Sequence, residues 1–151
     1  MEKRTIHEKL QGIQSSLKAP KGQTNKFGGY SYRSAEDILT AVKPLLAEYA
    51  CTLVISDDIV GVEGRVYVKA TAVLAESESD YSIQVQGFAR EAESRKGMDD
   101  SQITGSASSY ARKYALNGLF AIDDTKDADA TNDHGKKPNK PLATVGSNFD
   151  F

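Results

Sequence analysis

Lys21, Lys26, Phe27, Tyr30, Tyr32 and Arg33 interleave cations with aromatic rings on a glycine-rich stretch of a 151-residue chain. Cations follow phosphates and rings stack on exposed bases, so this mixture suits a single nucleic-acid strand. The structural alternative is that Tyr30 and Tyr32 pin the segment to a core. A second group falls on one side of a helix expected from Ser101 onward: Gly105, Ser106, Ser109, Arg112 and Lys113. That side is small and cationic, so a phosphate backbone or another subunit could lie close against it. A third group, Lys69, Thr71, Gln84, Gln86 and Arg90, is the polar and non-acidic face of two expected strands. Loop, helix edge and sheet face together are predicted to line one groove for a single strand.

Other chemistries find little support. There is no G-x-x-x-x-G-K-[ST] loop and no G-x-G-x-x-G, so nucleotide hydrolysis is not indicated. His7 and His134 lie near opposite ends with no matching ligand spacing, and no nucleophile elbow or Ser-His-Asp triad can be drawn. Cys51 is the only cysteine, which excludes an internal disulfide and a cysteine metal site. Asp123, Asp124, Asp127, Asp129 and Asp133 form the one acidic cluster. It lacks the glycine and the final glutamate of an EF-hand loop, and reads as a solubilising or interface-pairing edge rather than a nuclease metal site. No cofactor and no metal are expected.

These groups must be held by elements whose patterns are visible. Ile6, Leu10, Ile13 and Leu17 make one helical stripe from Thr5 to about Lys18, and Thr5 with Glu8 has capping-box spacing. Residues 19–29 read as a loop, and Tyr30–Arg33 as short and extended. Ser34 and Asp37 cap a second helix reaching about Tyr49, with Pro44 an unexplained break inside it. Three strands follow: Thr52–Ser56, extendable to Val60; Arg65–Glu76; and Tyr81–Glu91, separated by turns at Gly61–Gly64 and Ser77–Asp80. Then comes the long helix, whose core side is expected to hold Ile103, Ala107, Tyr110, Ala111, Tyr114 and Ala115. The pattern predicts an α+β fold: a three-stranded antiparallel β-meander flanked by helices.

Net charge is −2, which alone argues against a generic nucleic-acid binder. The distribution differs. Residues 1–33 hold seven Lys and Arg against two Glu, a local +5, and residues 123–133 hold five Asp against one Lys, a local −4. No apolar run is long enough to span a membrane, and the N-terminal residues lack the apolar segment of a signal peptide, so a cytoplasmic location is expected. Residues 1–130 are expected to form one domain, and 131–151 a disordered polar tail with no room for a second folded domain.

Two stretches resemble the ERF (essential recombination function) family of phage single-strand annealing proteins. They are YSYRSAEDI, from Tyr30 to Ile38, and MDDSQITGSASSYARKYALNGLFAIDDTKD, from Met98 to Asp127. The likeness runs from about residue 5 to residue 130. It implies an ATP-independent recombinase with no covalent chemistry, one that binds single-stranded DNA and pairs complementary strands in phage homologous recombination. It implies the β-β-β-α core of the eukaryotic ring-forming annealing proteins, assembly into rings or helical filaments, and DNA in a basic groove on the outside of the ring. On that footing Ser109, Arg112 and Lys113 would meet DNA from the helix, and Arg90, Arg95 and Lys96 from the preceding strand and loop. The implied partners are single-stranded DNA, the annealed duplex, further copies of the chain, and a phage exonuclease or single-strand binding protein, in the cytoplasm of a bacterial host. The tip Phe149–Phe151 is similar to the acidic-aromatic tails by which bacterial single-strand binding proteins recruit partners, against the alternative of an inert disordered end. The alternative is a single-stranded DNA-binding module that protects strands without annealing them.

Overall fold

Three capping boxes start three helices. Thr5 with Glu8, Ser34 with Asp37, and Asp99 with Gln102 each exchange side-chain and backbone hydrogen bonds, which satisfies amide donors that the first helical turn leaves open. The computed structural model describes residues 3–122. The expected tail and the Asp123–Asp133 cluster lie outside these residues. Helix α1 is Ile6–Ser16, followed by a hairpin of β1 (Gln23–Asn25) and β2 (Tyr30–Tyr32). Helix α2 is Ala35–Glu48, and the strands β3 (Cys51–Val62), β4 (Arg65–Glu76) and β5 (Ser82–Arg90) lead into α3 (Asp100–Phe120). The class is α+β, as expected, and its second half runs β-β-β-α.

The three strands form an antiparallel meander in the order β3-β4-β5. Alternation fixed β4 in the sequence, and its ends are those expected. Val68, Ala70, Ala72 and Leu74 are buried under the helices, while Tyr67, Lys69, Thr71 and Val73 point away. Strand β3 runs past the expected stop. Asp57 and Asp58 are poor strand formers, yet the ladder continues through Asp57↔Ala70 and Asp58↔Lys69 to Val62↔Arg65. Tertiary partners outweigh propensity here. Asp57 takes hydrogen bonds from Ser108 and Arg112 of α3, and Asp58 stands opposite a lysine. The turn is only Glu63-Gly64, with φ of 49° and 77°. A two-residue turn with both residues left-handed matches the strand twist, so Gly61 and Val62 stay in the ladder.

Helix α3 lies almost directly on the backbone of the sheet. Ala107, Ala111 and Ala115 recur every four residues and are buried, facing Ala70 and Ala72 of β4 and Gly87 of β5. Its C-terminal half also meets α1 and α2, and Leu116, Leu119 and Phe120 join Ile13, Ile38 and Val42 in the core. Pro44 now has an account. It sits on the exposed side of α2, as does Thr40, whose carbonyl would have taken the missing hydrogen bond. Water can take that role, so the helix continues to Glu48.

Candidate nucleic-acid interface

The stretch read as a loop, residues 19–29, contains a strand. Gln23–Asn25 pairs with Tyr30–Tyr32. Asn25 organises the turn: its Oδ1 accepts from Phe27 N and Gly28 N at 2.9 and 3.0 Å, and its Nδ2 donates to Tyr30 Oη at 2.8 Å. Lys26 and Phe27 are thereby held out at the tip, both exposed, and Lys21 precedes β1, half-buried. Arg33 Nε donates to Ala19 O at 2.7 Å and closes the base of the hairpin.

Asp37 fastens this hairpin to α2. Its carboxyl lies below the ordinary value of 3.8, held there first by the Ser34 backbone N–H against the upward push of partial burial. The Ser34 side chain, the Gly22 backbone and the Gln23 side chain add to the lowering. The folded chain therefore binds this proton less readily than the unfolded chain. The stabilisation is complete above pH 3.8 and is lost as pH falls through the lower folded value. Asp37→Ala should cost about 1 kcal/mol at neutral pH. Urea titrations at descending pH should show that difference closing below the ordinary carboxylate range.

Between the hairpin, the start of α2 and the outer side of α3 lies a cleft of about 430 Å³. Tyr32, Arg33, Ser109 and Lys113 all line it, together with Ser106 and Tyr110. Lys113 is only 6% exposed, contrary to a place on a solvated helix edge. Its Nζ lies 5.8 Å from the centre of the Tyr32 ring, a cation–π distance that joins α3 to β2.

A second cleft of about 350 Å³ flanks the first across Ser106 and Tyr110. Arg95, from the loop after β5, lines it, and Arg90 borders it at the end of β5, where its pairing with Tyr67 turns its side chain to the other face of the sheet. Lys96 is exposed beside them. The loop is anchored where Thr104 Oγ1 donates to Glu91 Oε2 at 3.0 Å. Tyr110 and Tyr114 also line this cleft, which corrects their assignment to the core. They are 50% and 42% exposed. The sheet is three strands wide with β5 at its edge, so this flank of α3 overhangs it. The Ala107–Ala111–Ala115 line was the usable signal in the sequence: small residues at that spacing mark the sheet-facing side, and the tyrosines fall beside it.

Other expected contributors line neither cleft. Arg112 turns towards β3, with Nε 3.2 Å from Asp57 Oδ1. Lys69 lies on the sheet face turned away from α3, because β4 side chains alternate and Val68 and Ala70 take the helix side. The polar sheet face and the helix edge are thus on opposite sides of the sheet and do not line one groove.

The model of the ERF superfamily matches residues 6–148. The chain belongs to the ERF superfamily. The essential recombination function protein of Salmonella phage P22 is 54% identical over 134 residues, covering 89% of this chain and 63% of that protein. The chain thus spans less than two-thirds of that relative's length. No solved structure matches it.

The two stretches that carried the ERF resemblance are far apart in sequence and meet at the first cleft. Tyr32 to Glu36 comes from one, and Ser106, Ser109, Tyr110 and Lys113 from the other; Gln23 alone lies outside both. Burial pushes the Cys51 thiol up, and it packs as a core residue at the start of β3. Among the described residues no group of three His, Cys, Asp or Glu could hold a metal ion. No described helix is long and apolar enough to cross a membrane.

Proposed function

We propose that this ERF-family chain binds single-stranded DNA across α3 and pairs complementary strands in phage recombination, without ATP or covalent chemistry. The observation that carries the reading is the first cleft: Tyr32, Arg33, Ser109 and Lys113, separate in sequence, converge there. The recombination function named for the phage P22 relative supports it. The mechanism is physical. Arg33 and Lys113 neutralise phosphates, the ring of Tyr32 offers a face to a base, and the Ser106 and Ser109 hydroxyls let the backbone approach closely. A strand held by its phosphates keeps its base edges open to a complement. Copies of the chain, arranged as a ring or filament along the strand, make binding cooperative and hold the growing duplex. This work belongs in the cytoplasm of the bacterial host, where a phage exonuclease or single-strand binding protein would supply or share the strands.

Mixing two complementary fluorescent oligonucleotides with the protein, in nucleotide-free buffer, tests this directly. Pairing should accelerate, and the gain should shrink as salt rises. Pairing that is slowed would mean a protecting module instead, and an unchanged rate would remove DNA from the reading altogether.

A further inference from the structure

The cleft between β5 and α3 contains more aromatic surface than phosphate binding needs. Tyr110 and Tyr114 line it and are 50% and 42% exposed, while Phe88, which also borders it, stands opposite Lys69 with its ring on the other face of the sheet. Large rings left this open are not explained by the core, which is closed beneath them by buried Ile103 and Ala107. Tyr110 and Tyr114 stand one helical turn apart, with ring centres 6.3 Å apart and planes inclined by 32°. Arg95 borders the rings, and no acidic side chain lines the cleft. A volume of about 350 Å³ is at the small end of ordinary ligand clefts.

We propose that Tyr110 and Tyr114 form a stacking subsite for unpaired nucleobases, and that Arg95 holds a phosphate beside those bases. The inference rests on the DNA-binding reading above and adds a second binding surface to it. Charge decides the occupant. An apolar partner alone would leave the Arg95 charge without a counterpart, and a strand of nucleic acid supplies rings and phosphates together. The shared wall of Ser106 and Tyr110 lets one strand pass from the first cleft to the second. Stacking uses only the flat face of a base. Its pairing edge stays free, which is what a complementary strand must read. Bases inside a duplex have no free face, so this subsite selects the unpaired state.

The test uses two oligonucleotides of equal length, one intact and one with abasic positions, and so with the same phosphates. The full chain should bind the intact strand about tenfold more tightly. Tyr110→Leu with Tyr114→Leu should lose about tenfold on the intact strand and little on the abasic one. Tyr110→Phe with Tyr114→Phe, which keeps both rings, should bind like the parent and guards against a folding defect in the leucine variant. Equal losses on both strands, or equal binding of both strands by the parent, would overturn the subsite. So would a change in sedimentation of the DNA-free leucine variant, which would make the cleft a contact between copies. Each of these results leaves the annealing assay free to succeed, so failure of the subsite is separable from failure of the proposed function.

Discussion

Gly87→Val should lower the melting temperature by about 10 °C or more, the largest stability loss expected from a single added side chain in this fold. A Cβ at Gly87 would run into the carbonyl oxygen of Ala111 and the amide nitrogen of Ala115, and would lie 3.1 Å from Ala115 Cα. These are backbone atoms of a helix and cannot rotate away. The whole of α3 would have to lift, opening gaps above Ala70 and Ala72. Overpacking of this kind costs about 3 kcal/mol where nothing can yield. Lifting α3 would also move Ser106, Ser109 and Lys113 away from the hairpin, so strand binding should fall with stability. Gly105→Ala is the contrast on the same helix. The space around Gly105 is open, with no atom within 4 Å of the point a Cβ would occupy, and alanine in an exposed helical site should add about 0.5–1 kcal/mol. Thermal melts of the two variants followed by circular dichroism should move in opposite directions.

The close approach of α3 to the sheet also marks what the sequence could show and what it could not. Local patterns were legible. The alternation of β4 gave both its ends, and the spacings Thr5–Glu8 and Ser34–Asp37 gave two helix starts, because each depends on neighbours in the chain. The course of β3 past Ser56 was not legible, since what keeps Asp57 in a strand is an arginine 55 residues later. Tyr110, Tyr114 and Lys113 were assigned to the wrong sides of α3 for a similar reason. A helical wheel gives angles between residues and not the width of the sheet below. With only three strands, the tyrosine flank overhangs an edge, while α2 and the hairpin bury the lysine. The interface was half legible. Residue types named the chemistry and the family resemblance named the stretches. The division into one cleft at the hairpin and another at β5, with Lys69 behind the sheet, required coordinates.

That division predicts which cations matter. Arg33→Ala combined with Lys113→Met should weaken binding of a single-stranded oligonucleotide by at least about tenfold near 0.1 M salt, and should flatten the dependence of log K on log salt by about 1.4. The figure follows from about 0.7 released counterions per phosphate contact on a single strand, for two contacts. Methionine at position 113 keeps the buried stem volume under Tyr32, so the loss is of charge and not of packing. Arg112→Ala should behave differently although it is the next residue. Its guanidinium is already committed to Asp57 at 3.2 Å, in a half-exposed pair whose removal costs about 1 kcal/mol or less. Its salt slope should stay near that of the parent. Lys69→Ala should leave both affinity and slope unchanged, because its side chain projects from the far face of the sheet. Fluorescence anisotropy at four or five salt concentrations separates these cases. Equal slopes for the Arg33–Lys113 double variant and the parent would exclude the hairpin cleft as the phosphate track. A flattened slope for Lys69→Ala would move the track to the opposite face. The same titration therefore decides which side of a three-stranded sheet the DNA follows.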